Sequence, residues 1–332
     1  MNPSKPNQQQ DDIAGIIRRH DHFHITTHIR ADGDALGSEI ALFYALKQLN
    51  KSVSITNEST VPNIYKFIIP PEGMYIHPNL PGEKPEAVIC LDCPTLDRTG
   101  KITDAIPKDA AIINIDHHIS NDLFGDINWV VDDMSSTGEM ILALIKRMGI
   151  TITPDIATAL YVAIVTDTGR FTHSNTTPEV FRAAAFLMEH GARHEEITKN
   201  VYNTNSFRLL QLYAQTLNTV ELHLDNKVAT VFVTKEMMEK AKVDPIDTHE
   251  FADIPVSIDG VSVGILFRDM VSSDFVKASL RSRNGFNVNN IARKFGGGGH
   301  KYASGCEIQG SIKEAQRLII NEIKKTLQES AY

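Results

Sequence analysis

The sequence is short of cysteine and of long apolar runs, and it has no excess of positive charge. No stretch reaches the roughly 20 consecutive apolar residues that span a bilayer, and the polar residues 1–12 lack the apolar centre of a signal peptide. An odd count of three cysteines argues against a disulfide framework. We therefore expect a cytoplasmic protein without a membrane segment, in which residues 1–12 form a disordered tail.

The net charge of −8 argues against a protein that coats long duplex nucleic acid, because such binding depends on neutralising phosphates. The charge is nevertheless uneven. Residues 276–305 contain six lysines and arginines and no acidic residue. This window predicts a local anion-binding site, with an incidental solvated face as the alternative.

The order of apolar patterns indicates two α/β domains, as the length of 332 residues allows. In the first half, short apolar runs alternate with helical patterns, which predicts a doubly wound, mainly parallel sheet. Strands are expected at residues 22–27, 53–56, 87–91 and 111–115, and helices at 35–49, 136–148, 154–166 and 178–190.

The second half predicts a smaller α/β domain. A hairpin is expected at residues 219–224 and 227–233, further strands at 261–267, 275–280 and 302–308, and helices at 288–294 and 311–328. The predicted organisation is a tail (1–12), a catalytic domain (13–194), a helical connector (195–218) and a substrate-binding domain (219–332), with the active-site cleft between the two domains.

Acidic and imidazole side chains follow the first-half elements at the points where these end. The set comprises His28, Asp32, Asp34, Asp92, Asp116, His117, His118 and Asp167. Because ligands of an open parallel sheet bind outside the carboxyl ends of its strands, we expect these side chains to converge. A helix cap or a turn is the favoured explanation of any single aspartate, but it does not explain five acids and three histidines at one edge.

Carboxylates this crowded repel one another, and divalent cations resolve the conflict. Oxygen and imidazole ligands without thiolates suit Mn, Fe, Zn or Co better than Ca, and the excess of oxygen favours Mn²⁺. The number of ligands is sufficient for two ions, the arrangement used for displacement at phosphorus.

Cys90 and Cys93 form a lone C-x-x-C pair around Asp92. A structural zinc site needs a second ligand pair, which the sequence does not offer. A redox motif remains an alternative to two small, half-buried residues beside a metal-binding aspartate.

The run Phe295-Gly-Gly-Gly-Gly-His300 lies within the basic window. Four glycines lose much backbone entropy on ordering, and without Cβ atoms their N–H groups can approach a phosphate closely. His300 and Arg281 can add charge-assisted hydrogen bonds to the same anion. A flexible loop is the alternative; a nucleotide P-loop is excluded because the run lacks the GK[ST] ending.

Together, these motifs resemble the DHH phosphoesterase superfamily, named for the triplet Asp116-His117-His118. The segment GGGGHKYASG, with KASLRS before it, resembles the DHH-associated C-terminal domain. The resemblance covers residues 22–308. By length and layout it is nearest to the bacterial nano-RNases that also act as 3'-phosphoadenosine 5'-phosphate (pAp) phosphatases.

The resemblance implies two divalent ions and a role for each matched residue. His28 and Asp32 would bind one ion, and Asp34, His117 and Asp167 the other, with Asp92 between them. The catalytic residues would be Asp34, Asp92, Asp116 and His118, of which Asp116 supports the others and His118 faces the substrate phosphate. The remote part of the nucleotide would contact Arg281, Gly297, Gly298, Gly299 and His300.

The expected activity is hydrolysis of short RNA to mononucleotides and of pAp to AMP and phosphate. The alternatives within the class are a cyclic- or linear-dinucleotide phosphodiesterase, a processive single-strand exonuclease and a manganese pyrophosphatase. From another class, the alternative is a non-catalytic nucleotide or RNA binder. Cleavage direction, base preference and the formation of a homodimer stay open.

Overall fold

The computed structural model describes residues 6–76, 84–243, 245–271, 273–283 and 285–329. The chain divides into two compact units, Met1–Thr204 and Asn205–Tyr332. The predicted connector, residues 195–218, is shared between them. Its first part belongs to the first unit, and its long helix belongs to the second.

The first unit contains a parallel sheet. Its described strands are β1 (His22–Thr27), β2 (Ser52–Asn57), β3 (Tyr75–Ile76), β4 (Ala87–Leu91), β5 (Ala111–Asp116) and β6 (Ile127–Val130). Its described helices are α1 (Pro6–Arg19), α2 (Gly33–Gln48), α3 (Ile102–Ala105), α4 (Thr137–Arg147), α5 (Pro154–Asp167), α6 (Pro178–Glu189) and α7 (His194–Ile197). Short 3₁₀ helices at Asn63–Ile68 and Leu96–Thr99 and a π-helix at Thr198–Tyr202 complete the unit.

The strand order is β3-β2-β1-β4-β5-β6, and every pair is parallel. The order reverses between β1 and β4, where the chain first builds to one side of β1 and then to the other. In an open parallel sheet, such a switch point opens the crevice in which ligands bind. The carboxyl ends of β1, β4 and β5 are therefore the edge that matters for function.

Alternate residues of the central strands pack on opposite faces. Ile25, Ile89 and Ile113 are aligned across three strands and fully buried in the main core. Val88 and Cys90 point the other way, into a smaller cluster with Leu96 and Ile106. Both faces of these strands are covered, as expected from their continuous apolar sequences.

Three helices meet on the main core face. At Gly37 of α2, a Cβ atom would lie 2.3 Å from the carbonyl oxygen of Ala159 in α5, so only glycine permits this crossing. At Gly138 of α4, a Cβ would lie 2.3 Å from the Ala163 Cβ of α5. These close crossings bring the N-termini of α2 and α4 and the C-terminus of α5 together.

The prediction of a disordered tail at residues 1–12 is wrong from Pro6 onward, because α1 begins there. Residues 1–5 lie outside the described residues. Tertiary contacts hold this polar helix. Ile13 and Ile17 are fully buried, and Arg147 of α4 binds the Asp11 carboxylate with two nitrogens. Local composition alone does not show these contacts.

The second unit contains a mixed sheet. Its described strands are β7 (Glu221–His223), β8 (Val228–Val233), β9 (Val263–Asp269), β10 (Phe275–Ser282), β11 (Gly298–Gly299) and β12 (Ala303–Gln309). Its described helices are α8 (Phe207–Leu217), α9 (Lys235–Ala241), α10 (Asp253–Val256), α11 (Val288–Lys294) and α12 (Ile312–Glu329), with a 3₁₀ helix at Pro245–Ala252.

The order of this sheet is β11-β12-β10-β9-β8-β7, and only β8 and β9 pair in parallel among the described strands. The predicted hairpin is present as β7 and β8. The predicted fold class, a mainly parallel α/β unit followed by a smaller α/β unit, is confirmed. Sequence patterns missed the short strand β6 and the helix α9.

Candidate metal centre

All eight predicted residues of the first unit lie at the carboxyl edge of its sheet. His28 follows β1, Asp92 follows β4, and Asp116 ends β5. The other members come from flanking segments: Asp32 and Asp34 at the start of α2, Asp167 at the end of α5, and His117 and His118 after β5. The convergence predicted from the strand ends is therefore observed.

The first group of ligand atoms comes from His28, Asp32 and Asp92. The His28 Nε2 atom lies 3.4 Å from Asp92 Oδ2 and 4.0 Å from Asp32 Oδ2. His28 Nδ1 donates to the Ile29 carbonyl oxygen at 2.9 Å, so Nε2 is the ring nitrogen that faces the carboxylates. Asp32 uses its other oxygen to cap α2 through the N–H groups of Asp34 and Ala35.

The second group comes from Asp34, His117 and Asp167. His117 Nε2 lies 3.7 Å from Asp34 Oδ2 and 3.6 Å from Asp167 Oδ2. His117 Nδ1 donates to the Met134 carbonyl oxygen at 3.2 Å, so its Nε2 also faces carboxylates. This group is almost fully buried, apart from the Asp167 side chain, which is 20% exposed.

Asp92 lies between the two groups. One of its oxygens is next to His28, while the other, Oδ1, lies 3.5 Å from His117 Nε2 and from His118 Nδ1. Its backbone has a φ of +56°, a left-handed conformation that aspartate tolerates better than most residues. The Thr137 hydroxyl donates to Oδ1 at 3.1 Å and fixes the carboxylate.

Asp116 orients the histidines rather than joining either ligand group. Its Oδ1 accepts hydrogen bonds from the His117 N–H at 2.8 Å and from His118 Nδ1 at 2.7 Å. Its Oδ2 accepts from Asn121 Nδ2 at 2.6 Å. This agrees with the supporting role that the resemblance implies for Asp116.

The carboxylates of the centre have opposite pKa shifts. Burial raises the pKa of Asp34 well above its usual range, and the charges of Asp92 and Asp167 raise it further. Burial also raises the pKa of Asp167, to about 7. For Asp92, burial alone would raise the pKa, but the His28 hydrogen bond and the His118 charge hold it far below the usual range. Without a cation, these carboxylates cannot all stay ionised.

The donor set fits divalent metal ions. Distances of 3.4–4.0 Å between the facing nitrogen and oxygen atoms exceed those of a good hydrogen bond. Two ligands that each lie about 2.1 Å from one ion are about 3–3.4 Å apart. Each group therefore needs only a small contraction to close on a divalent ion.

Three residues that sequence patterns did not single out hold the ligands. The backbone N–H groups of Thr137 and Gly138, at the start of α4, donate to the two oxygens of Asp34 at 2.7 and 2.8 Å. The Asn121 amide joins Asp116 to the Asn114 side chain and to the Cys93 carbonyl oxygen. One signal in the sequence pointed to them, the helix predicted from residue 136, which places a helix N-terminus near this edge; in the structure Ser136 caps that helix.

The two cysteines beside Asp92 are free and buried. Burial raises the pKa of the Cys90 thiol to about 12 and that of Cys93 well above its usual range. Thiols in this state are poor nucleophiles and poor metal ligands. The structure thus favours the packing interpretation of the C-x-x-C pair.

The predicted substrate-binding residues of the second unit lie around β11 and β10. Gly298 and Gly299 form β11 and pair with Gly305 and Ser304 of β12, so the glycine run is partly a strand. At Gly297, a Cβ would lie 2.1 Å from the Gly305 carbonyl oxygen. His300 follows β11, and its N–H donates to the Ala303 carbonyl oxygen at 2.8 Å.

Arg281 lies on β10, where its Nε donates to Asp253 Oδ1 at 3.1 Å. Its Nη1 donates to the Leu280 carbonyl oxygen at 3.2 Å. The guanidinium is thus held by one carboxylate and one backbone group.

None of the described helices is long and apolar enough to cross a membrane.

Comparison with curated proteins gives close relatives of matching length. A Thermus thermophilus protein named bifunctional oligoribonuclease and PAP phosphatase NrnA is 32% identical over 311 residues, which cover 93% of this chain and 91% of the relative. A Bacillus subtilis protein of the same name is 29% identical over 311 residues, covering 93% and 96%.

Structural comparison and family matching agree with these relatives. The crystal structure of an exopolyphosphatase-related protein from Bacteroides fragilis covers 96% of both chains, with a TM-score of 0.87 and 28% identity. Residues 22–164 match the DHH family, N-terminal domain, and residues 225–329 match the DHHA1 domain. The expected family resemblance is confirmed, and the chain belongs to the DHH family and carries a DHHA1 domain.

Proposed function

We propose that this chain is a Mn²⁺-dependent phosphoesterase that hydrolyses short oligoribonucleotides to mononucleotides and pAp to AMP and phosphate. The observation that carries the proposal is the pair of ligand groups with Asp92 between them. The names of the Thermus thermophilus and Bacillus subtilis relatives support the choice of substrates. The three free, buried cysteines agree with a reducing compartment, which we take to be the cytoplasm.

We assign His28 and Asp32 to one ion, Asp34, His117 and Asp167 to the other, and Asp92 to both. Divalent ions held by these residues would supply a water activated at neutral pH and positive charge to offset that of the phosphoryl group. The chain itself supplies the positions of the ligands. The α4 N-terminus fixes Asp34, and backbone carbonyl groups set which ring nitrogen of each histidine faces the centre.

The contact with the substrate phosphate is assigned to His118. The Asp116 carboxylate accepts a hydrogen bond from His118 Nδ1 at 2.7 Å, which sets the orientation of the ring and favours its charged form. Burial alone lowers the pKa of His118, but the Asp116 hydrogen bond and charge raise it overall. A charged imidazole is suited to a phosphate oxygen.

The remote part of the nucleotide is assigned to the second unit, at Arg281, Gly297, Gly298, Gly299 and His300. Arginine can bind phosphate with two nitrogens, and the glycines let a ligand approach the backbone. The absence of acidic residues from the window 276–305 supports an anionic ligand there.

A direct substrate comparison tests the proposal. Purified protein with Mn²⁺ is incubated with pAp, with RNAs of two to five nucleotides, with a 20-nucleotide RNA, with cyclic di-AMP and with pyrophosphate. We expect mononucleotides from the short RNAs, phosphate from pAp, and no hydrolysis in excess chelator. A preference for the 20-nucleotide RNA, cyclic di-AMP or pyrophosphate would contradict the proposal, as would full activity in chelator.

A further inference from the structure

Strands β1 and β2 separate just before the metal centre. They pair from His22 opposite Ser52 to Ile25 opposite Ile55, after which β2 pairs with β3. On its other side, β1 stays paired with β4 as far as Thr27 opposite Leu91. At Thr27, β1 is no longer paired with β2, so the backbone of β2 offers no acceptor to the Thr27 N–H. A buried N–H then needs another acceptor.

The side chain of Asn57 supplies that acceptor. Its Oδ1 accepts hydrogen bonds from the Thr27 N–H at 3.1 Å and from the Thr26 hydroxyl at 3.4 Å. Its Nδ2 donates to Glu39 Oε2 of α2 at 2.8 Å. On the far side of β1, the Thr27 hydroxyl donates to the Leu91 carbonyl oxygen at 2.7 Å. A continuous chain of buried hydrogen bonds thus joins α2 to three strands.

Glu39 determines which way the Asn57 amide points. An amide side chain can present either its oxygen or its nitrogen, but a carboxyl group facing an N–H₂ acts as an acceptor. By accepting from Nδ2, Glu39 turns Oδ1 toward Thr27. Glu39 is fully buried, and its Oε1 has no hydrogen-bond partner among the described residues. Such a group costs stability, so its presence calls for a compensating role.

We infer that Glu39 and Asn57 are positioning residues that fix where His28 and Asp92 leave the sheet, an inference that rests on the proposed two-metal function. Thr27 directly precedes His28, and Leu91 directly precedes Asp92. The facing atoms of His28 and Asp92 are 3.4 Å apart, so a small shift of either strand end changes that spacing. Partners outside a ligand set typically contribute about 10–100-fold to metal affinity.

The inferred effect falls mainly on one ligand group. His117 is held by the Met134 carbonyl group, and Asp34 by the N-terminus of α4. Neither contact involves the Glu39–Asn57 chain. Disturbing that chain should therefore weaken the ion at His28 and Asp32 most. The other ion shares only Asp92 with the chain and should be weakened less.

A polarity exchange tests this inference. Asn57→Asp removes the donor and sets two carboxyl groups against each other. Glu39→Gln keeps an acceptor for Nδ2 and serves as the matched control. In the double variant, the new amide at position 39 can donate to the new carboxylate at position 57, which can again accept from Thr27.

Two measurements are made on each variant. Mn²⁺ titration of the metal-free protein should show one of two sites weakened by about tenfold or more in Asn57→Asp, with the other weakened by no more than about threefold. Glu39→Gln and the double variant should stay within about threefold of wild type. Hydrogen exchange of the Thr27 amide, measured without metal, should become faster only in Asn57→Asp.

Equal weakening of both sites, or a double variant as impaired as Asn57→Asp, would overturn the inference. Should Asn57→Asp not fold, Glu39→Met removes only the acceptor of the Asn57 amide and carries the same expectation. The wild-type protein tests the proposed function separately, through Mn²⁺ binding and substrate hydrolysis. Hydrogen exchange at Thr27 needs no metal. It therefore tests whether Glu39 and Asn57 hold the end of β1 even if the proposed metal-dependent function is wrong.

Discussion

The two sets of candidate functional residues are held in opposite ways. In the first unit, Asp34 and Asp92 are at most 2% exposed, and each is fixed by contacts from a neighbouring helix. In the second unit, Arg281 and the glycine run lie on partly exposed strands. Arg281 has one carboxylate partner, Asp253, whose side chain is 59% exposed.

The difference reflects two kinds of task. Ions bound between several carboxylates need ligands fixed within a fraction of an ångström, and the fold accepts crowded like charges to achieve this. A nucleotide's remote end needs complementary charge and access, so a more open surface is sufficient. Changes in the first unit should therefore abolish activity, whereas changes in the second should reduce it.

The largest expected effect comes from Asp92→Asn. Asparagine tolerates the left-handed backbone at this position, so the loss should be chemical rather than structural. Since Asp92 belongs to the first ligand group and its Oδ1 lies 3.5 Å from His117 of the second, turnover of every substrate should fall by at least about 10⁴-fold. The exposed Asp97→Asn is the control. More than a tenth of wild-type turnover in Asp92→Asn would remove the sharp contrast between the units.

The next effect concerns the pH dependence of stability in the metal-free protein. Burial raises the pKa of Glu39 from 4.5 to about 8. The folded state then holds its proton more tightly than the unfolded state, so this contribution to stability is present at low pH and is lost as the pH rises through about 8. Glutamine at this position has no ionisable proton, so the variant Glu39→Gln cannot lose this contribution to stability as the pH rises.

The free energies of unfolding of the wild type and of Glu39→Gln, measured with urea, should agree near pH 5. Near pH 9, the variant should be more stable by about 3–5 kcal/mol, since one pKa unit corresponds to about 1.4 kcal/mol. The exposed Glu236→Gln of the second unit should show no such divergence. A constant difference between wild type and Glu39→Gln at all pH values would contradict the burial argument.

Mn²⁺ should stabilise the two units unequally. An ion present at a hundred times its dissociation constant adds about 2.7 kcal/mol per site to the free energy of unfolding. Hydrogen exchange should slow in α2, β4 and β5, which carry or precede the ligands, and should change little in β9 and β10. Equal protection of both units would contradict a metal centre confined to the first unit.

The smallest expected effect is that of Arg281→Ala and His300→Ala. Each should lower kcat/KM on nucleotides by about 10–100-fold, since a hydrogen bond to a charged partner contributes about 1.5–3 kcal/mol. Hydrolysis of bis-p-nitrophenyl phosphate, which lacks a remote nucleotide part, should change little. The exposed Arg182→Ala controls for loss of charge. An equal loss on both substrates would contradict the assigned binding role.

The sequence allowed the central strands and the site edge to be predicted because both depend on local patterns. AVICL and AIINI are continuous apolar runs followed at once by Asp92 and Asp116, and the end of a strand fixes where the next residue lies. Helices α5 and α6 begin with Thr-Pro, in which the threonine caps the helix and proline occupies the first turn.

What could not be predicted depends on contacts distant in sequence. Helix α1 is polar at its start, yet Gln9 donates to the Asn128 carbonyl oxygen 119 residues away. Strand β6 has only four residues, too few for a clear alternation. The link from Glu39 through Asn57 to Thr27 joins a helix and two strands, and no local pattern in any of them reports it.

Both sheets end in their shortest strands, which bears on aggregation. Among the described residues, β3 and β11 have two residues each, β7 has three and β6 has four, whereas the inner strands have five to eight. A short edge offers few unpaired backbone groups on which another chain could add a strand. Because β11 is part of the glycine run, substitutions that favour a longer strand there should promote self-association at high protein concentration. The choice of residue at positions 298 and 299 is thus limited by the solubility of the protein as well as by the ligand assigned to them.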